Sequence, residues 1–161
     1  MTRSELEIII KKRVAIVVTL FAALLAINTM VAGSNSSKVL SGTIASNNLW
    51  SWYQAKNVRS IIFLTTADTT EDKKLAQYYH SEVQRLRGDM EDLAAQAKSI
   101  EQERDQAKSR SPFFTYAGSL LQIGIVLSTA AILAVAMPLF WASIVVGAFG
   151  AGFFLHGFFL V

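Results

Sequence analysis

The stretch that decides the fold is "VAIVVTLFAALLAINTMVA", residues 14–32, in which no residue is charged. Its 19 residues come close to the roughly 20 that an α-helix needs to cross the hydrocarbon core of a bilayer. Basic residues precede the run, so a secretory signal peptide is the alternative interpretation. The run is longer than a usual signal core, and no clear A-x-A cleavage site follows it. This favours a retained transmembrane helix preceded by a basic segment, residues 1–13.

The C-terminal part of the chain is also free of charge, from Phe113 to Val161. It is long enough for two spans, and Pro138 marks the natural break because proline removes a helical hydrogen bond. The sequence therefore predicts transmembrane helices at 113–136 and 139–160.

Small residues four apart in the last span indicate close helix packing in lipid. They form the pairs Gly147/Ala151 and Ala148/Gly152. Their partner is either a helix of the same chain or a helix of another subunit. Asn28 and Gln122 are polar residues within spans, where each would join helices by hydrogen bonds or line a polar path.

The segment between the first and second spans, residues 33–112, carries most of the charge. Gly33 to Ser111 holds eleven basic and ten acidic residues, so no one-signed patch of the kind that binds nucleic acid is present. From Glu71 to Arg110, apolar residues alternate at spacings of three and four, which is typical of a coiled coil. The main seam residues are Tyr79, Val83, Leu86, Met90, Leu93 and Ile100.

A partner for this seam is available in the preceding residues, 39–64. The run "TTADTT", residues 65–70, reads as a turn with side chains that can cap the next helix. The sequence predicts an all-α membrane protein, in which three transmembrane helices carry an extra-membrane antiparallel coiled-coil hairpin with arms at 39–64 and 71–110. The first arm is the shorter one. This mismatch argues for coverage by other subunits, unless a loop at 33–38 folds back to help.

One stretch of the first arm, "NNLWSWYQAKNVRS" at residues 47–60, concentrates aromatic and basic side chains. On a helix its apolar bulk lies on more than one side, whereas a two-helix hairpin needs only one apolar face. Three interpretations remain open: packing against two neighbouring helices, an anion or lipid-headgroup site with Lys56 and Arg59, and anchoring of Trp50 and Trp52 in the membrane interface.

The runs "ASNNLWSWYQAKNVR", "KKLAQYY" and "LLQIGIVLSTAAILA" resemble a family of small bacterial membrane proteins catalogued as a domain of unknown function. The resemblance implies one N-terminal span, a W-x-[YW]-Y-Q-A-K helix, a charged helix and a two-span membrane hairpin. Two positions depart from the pattern, since Asn48 replaces a common aspartate and Met137-Pro138-Leu139 replaces a basic turn. The residues that correspond to the signature are Trp50, Trp52, Tyr53, Gln54, Ala55, Lys56 and Gln122.

No arrangement of nucleophile, base or paired acid indicates an enzyme. Cysteine is absent, and the two histidines, His80 and His156, stand far apart, so neither a metal site nor a cofactor is expected. The sequence predicts a protein that acts in the bilayer by helix-mediated assembly, as a homo-oligomeric scaffold or an accessory subunit of a larger membrane complex. The alternative is an oligomeric channel in which Gln122, Ser128 and Thr129 face a pore.

Basic residues ahead of the first span predict its orientation, because positive loops stay in the cytoplasm. They are Arg3, Lys11, Lys12 and Arg13. The prediction is a bacterial inner-membrane protein with a cytoplasmic N-terminus and a periplasmic hairpin at 33–112. Basic residues before the second span, including Lys108 and Arg110, oppose this orientation.

Overall fold

The structure, a computed structural model, describes residues 3–159 and the side chains of residues 7–159. Within that range the chain forms three α-helices and no strand: α1 (Arg3–Thr69), α2 (Lys73–Ala134) and α3 (Met137–Phe159). The predicted all-α fold is confirmed. Each helix contains a stretch that is long and apolar enough to cross a membrane, which points to a membrane protein.

Helix α1 continues without a break through residues 33–38, so the loop predicted there is wrong. A lone glycine in a helix costs only about 1 kcal/mol relative to alanine, and Gly33 has no proline beside it. Within the compact unit of residues 38–105, the two arms are therefore nearly equal in length, at residues 38–69 and 73–105. The length mismatch that argued for coverage by other subunits does not exist.

Helix α2 likewise runs through Pro112, beyond the predicted arm boundary. Proline lacks the N–H that would bond the carbonyl four residues earlier, so the helix loses one hydrogen bond there. Nearby, the side-chain amide of Asn35 on α1 donates to the carbonyl of Ala107 at 2.7 Å and to the Ser111 hydroxyl at 3.0 Å. A side chain of α1 thus binds the backbone of α2 five residues before the proline.

The first turn lies at residues 70–72, later than the predicted 65–70. Thr65, Thr66 and Thr69 of the predicted turn are helical, and Thr65 and Thr66 donate their hydroxyls to carbonyls four residues back. Helix α2 is capped by Asp72, whose Oδ1 accepts from the amides of Lys74 at 2.8 Å and Leu75 at 3.3 Å. A carboxylate in this position satisfies amides that have no partner inside the helix.

The second turn is shorter still, because α2 ends at Ala134 and α3 begins at Met137. Val135 has a φ of 49°, a left-handed conformation that is unfavourable for a β-branched residue. Pro138 lies in the first turn of α3, where a missing amide costs little. The break thus precedes the proline by two residues.

Contacts divide the described chain into two compact units, residues 3–37 with 106–159 and residues 38–105. In the first, called the three-helix unit, Asn28 donates to the Phe114 carbonyl at 3.0 Å and joins α1 to α2. Ser128 donates to the Ser143 hydroxyl at 3.0 Å and joins α2 to α3, and both serines are fully buried. Ile10, Val14, Ala131 and Phe140 form the core at the end near the second turn.

Two glycines of the three-helix unit lie against the ring of Phe21, on α1. A Cβ added to Gly124 of α2 would lie 3.1 Å from Cε2 of this ring, and a Cβ added to Gly147 of α3 would collide with it. Glycine leaves the space that a larger residue would fill, so two helices close around one aromatic side chain.

Candidate interaction site on the helical hairpin

The second unit, residues 38–105, is an antiparallel hairpin of α1 and α2 and is called the hairpin unit. The large seam residues of α2 face into it. Val83, Leu86, Met90 and Leu93 are buried, whereas Tyr79 and Ile100 are half-buried. The Tyr79 ring lies 5.4 Å from the ring of Phe63 on α1.

The matching face of α1 consists mostly of small or polar residues and is called the inner row. It repeats every three or four residues: Gly42, Ser46, Leu49, Tyr53, Lys56, Ser60, Phe63 and Ala67. Every member is buried or half-buried. Gly42 brings the backbones close together, since a Cβ there would lie 3.0 Å from Cβ of Arg104. Small residues on α1 therefore receive large residues from α2.

The tryptophan-rich stretch is divided between two faces of α1. Trp50 and Tyr53 are half-buried, and their rings meet edge to face at 5.5 Å. The Trp50 indole donates to Oε1 of Glu101 on α2 at 3.0 Å. These two aromatic residues therefore hold the hairpin together.

Lys56 also points to α2, where its ammonium lies 2.6 Å from Oδ2 of Asp89. Arg85 approaches the same carboxylate at 3.6 Å and pairs with Glu82 at 2.7 Å. The hydrogen bond from Lys56, helped by the charges of Lys56 and Arg85, holds the pKa of Asp89 below its ordinary value. The hydrogen bond from Arg85 lowers the pKa of Glu82 in the same way.

The pairing of Lys56 with Asp89 predicts a pH-dependent contribution to stability. Because folding lowers the pKa of Asp89, this contribution is complete above the unfolded value of about 3.9 and is lost as the pH falls through the folded pKa. The wild type should therefore have a higher denaturation midpoint than Lys56→Met at pH 7, and this difference should shrink as the pH is lowered to 3. Lys98→Met, at an exposed lysine of α2, is the control and should show no such trend relative to the wild type. A constant difference for Lys56→Met would refute the proposed coupling.

The other half of the stretch lies on the exposed side of α1, where the charge of Arg59 is still near enough to Glu82 of α2 to help lower its pKa. Trp52 is 64% exposed, and Gln54 and Arg59 are exposed as well. Trp52, Ala55, Lys56 and Arg59 line a shallow recess of about 330 Å³. Since the Lys56 ammonium is already paired with Asp89, the recess presents less positive charge than the sequence suggests.

This outward face carries a second heptad-spaced row, called the outer stripe. Its members are Ile44, Asn48, Ser51, Ala55, Val58, Ile62 and Thr65, and all are exposed. Ile44, Val58 and Ile62 are each more than half exposed. Leu40 and Ile61 lie beside the stripe and are also more than half exposed. Helix α1 of the hairpin unit is therefore apolar on a face that no described residue covers.

The two helices of the hairpin unit differ sharply in charge. Residues 39–67 of α1 contain two charged residues, whereas residues 73–105 of α2 contain thirteen. The exposed surface of α2 is that of a solvated helix, with only Leu75 and Tyr78 as large exposed apolar residues within 73–105. A helix that carries apolar residues on more than one face normally packs against more than one neighbour.

The remaining predicted residues lie in the three-helix unit. Gly147 is buried against Phe21 and Ala151 is half-buried, but Ala148 and Gly152 are exposed, so the small residues of α3 lie on two faces. Ala148 and Gly152 line an open apolar groove of about 630 Å³ together with Phe113, Ile144, Val145, Phe149, Phe153 and His156. Gln122 is exposed on α2.

Several structural residues were missed by sequence reasoning. Asn35 and Ser143 form hydrogen bonds between helices, and Phe21 fills the niche between the two glycines. The inner row was missed as well, because most of its members are not apolar. The available signal was its unbroken spacing of three and four residues from Gly42 to Ala67.

Comparison with known proteins places the chain in a family without assigning an activity. A search of the curated proteins and a search of the solved structures returned no significant match. One family model, described as "Domain of unknown function (DUF4337)", matches residues 10–160. The match includes both units of the fold and confirms the resemblance to a family of unknown function. The chain therefore belongs to the DUF4337 family.

Proposed function

We propose that this chain is a non-enzymatic integral membrane protein of the bacterial inner membrane that acts by helix-mediated assembly. It would serve as a homo-oligomeric scaffold or as an accessory subunit of a larger membrane complex. The observation that carries this proposal is the outer stripe, a heptad-spaced and weakly polar face that is exposed in a single chain. Exposed apolar patches of this kind mark interaction surfaces.

The orientation belongs to the same proposal. Lys11, Lys12 and Arg13 directly precede the charge-free run of residues 14–32, which favours a cytoplasmic N-terminus and a periplasmic hairpin at 33–112. The pore alternative is less well supported. One of its three lining residues, Ser128, is fully buried and bonded to Ser143, whereas Gln122 and Thr129 are exposed.

A pair of identical substitutions tests the assembly proposal. Ala55 lies in the middle of the outer stripe, and Ala95 is exposed on α2, so glutamate at either position keeps a good helix former. In mild detergent, the wild type and Ala95→Glu should purify as an assembly heavier than one chain. Ala55→Glu should dissociate to the single-chain mass, because the assembled stripe would bury an unpaired charge.

The mass of the assembly and the identity of co-purifying proteins separate the two forms of the proposal. A particle of one chain type supports a scaffold, and a fixed ratio to other proteins supports an accessory subunit. A monodisperse wild-type monomer without a partner would refute both forms. Equal dissociation of the Ala55→Glu and Ala95→Glu variants would show that assembly does not use the outer stripe.

A further inference from the structure

The outer stripe also contains information about which helix covers it. We infer that its partner is the outer stripe of a second copy of this chain, an inference that rests on the proposed function. The two α1 helices then pair in parallel and in register around Asn48. The interface is then two-fold symmetric, with the same surface contributed by each copy. Copies in one membrane share their direction of insertion, which favours parallel pairing of like segments.

The spacing of the stripe fixes the heptad positions. A step of four residues leads from a d position to the next a position, and a step of three leads from a to d. Ile44, Ser51, Val58 and Thr65 therefore occupy d positions. Asn48, Ala55 and Ile62 occupy a positions. A repeat of seven residues sustained over three heptads is typical of helices that wind around each other.

The polar members of the stripe are the strongest guide to the partner. Ser51 and Thr65 donate their hydroxyls to the carbonyls of Asn47 and Ile61 in their own helix, at 2.9 Å and 3.0 Å. They can be covered by another helix without losing these bonds. Within the described chain the amide of Asn48 forms no side-chain hydrogen bond, so its coverage requires a polar group on the partner.

A second Asn48 supplies that polar group. One asparagine at an a position of a parallel two-stranded coiled coil bonds to its counterpart and specifies both the register and the number of strands. In-register pairing brings Asn48 of the two copies together. A shift by one heptad would place each Asn48 opposite Ser41 or Ala55, and the pairing of the two amides would be lost.

The residues beside the stripe agree with the same register. Trp52 and Arg59 occupy e positions, whereas Asn47 and Gln54 occupy g positions. In a parallel coiled coil, a g residue faces the e residue of the next heptad in the other helix. Arg59 therefore faces Gln54 of the other copy, so the charge that flanks the stripe between residues 44 and 65 meets a neutral amide. The exposed Trp52 and Gln54 both gain a neighbour.

Cysteine cross-linking in membranes tests the inference directly, because the chain contains no cysteine of its own. Ile44→Cys and Val58→Cys place a thiol at d positions, and Ala95→Cys is the exposed control on α2. Copper-phenanthroline oxidation of vesicles should link at least about ten times more of the first two variants than of the control. Co-expressed Ile44→Cys and Val58→Cys chains of different tag length should give no mixed dimer. These positions lie about 21 Å apart along a helix, beyond the roughly 7 Å that a disulfide allows between Cα atoms.

Asn48→Leu provides a second readout. Chains that carry both Asn48→Leu and Val58→Cys should still form the disulfide dimer. They should also form mixed dimers with co-expressed Ile44→Cys chains, or larger oligomers, because the residue that fixes register and strand number is gone. Unchanged strand number and register in this variant would contradict the role of Asn48. Mixed dimers between Ile44→Cys and Val58→Cys without that substitution would contradict in-register pairing, and mixed dimers between Ile44→Cys and Ile62→Cys would indicate antiparallel pairing.

Different experimental results would refute this inference and the proposed function. If the chain purifies as an assembly but neither Ile44→Cys nor Val58→Cys forms a dimer, the stripe does not pair with itself and the assembly proposal survives. If the chain is a monomer without a partner and no cysteine links, both fail.

Discussion

A Gly147→Ala variant is expected to lose about 1–3 kcal/mol of unfolding free energy, although alanine is the better helix former. The added methyl group would enter the space that the Phe21 ring occupies between α2 and α3. Gly124 of α2 also lies against the ring, since a Cβ added there would be 3.1 Å from its Cε2. The midpoint of thermal unfolding in detergent, measured by the loss of monodisperse protein, should fall by several degrees.

Gly152 provides a matched control on the same helix. A Cβ added there meets no atom within 4 Å, so Gly152→Ala should leave the midpoint unchanged or raise it slightly. Phe21→Ala in the Gly147→Ala background should recover part of the loss, because the two substitutions share one space. If Gly147→Ala and Gly152→Ala unfold at the same temperature, the niche around Phe21 does not determine stability.

Replacing Leu86 by alanine is expected to cost the hairpin unit about 2–5 kcal/mol. Leu86 is 1% exposed and lies in the middle of the α2 seam, where the inner row offers small side chains that cannot expand to fill a cavity. The cost combines lost burial of apolar surface with the cavity that remains. Urea denaturation followed by tryptophan fluorescence should show a lower midpoint.

Leu75→Ala is the control for this change, since Leu75 is 40% exposed near the start of the same helix. Its effect should stay within about 0.5 kcal/mol, which is usual for surface positions. Limited proteolysis should cut the Leu86→Ala variant between residues 73 and 105 faster than the wild type. Equal cleavage of both leucine variants would indicate that the seam is not the core of the hairpin.

The helical fold and its candidate spans could be predicted because they depend on long, uniform signals. The charge-free runs are each close to or longer than the roughly 20 residues of a membrane span. In α2 the buried positions are large apolar residues set among charges, so their spacing is visible in the sequence. The joins between segments depend on single residues instead. Asp72 and the hydroxyl bonds of Thr65 and Thr66 moved the turn, and nothing near Gly33 was strong enough to break α1.

The candidate site was only partly predictable for a related reason. The two rows of α1 contain glycine, alanine, serine and asparagine, whose burial depends on the partner rather than on their own hydrophobicity. The sequence indicated apolar bulk on two sides of the tryptophan-rich stretch. It could not show that Trp50 and Lys56 turn inward to Glu101 and Asp89. Those pairings require the register of α1 against α2, which local patterns do not contain.

The hydrogen bond from Asn28 to the Phe114 carbonyl sets a waiting time during biosynthesis. Its two residues are 86 positions apart in the chain. At roughly 5–20 residues per second, α1 exists for about 4–17 s before the carbonyl that Asn28 binds has been made. During that interval the buried amide of the finished fold is exposed to whatever surrounds the growing chain. Early association of α1 with another helix would compete with its own α2 at this point.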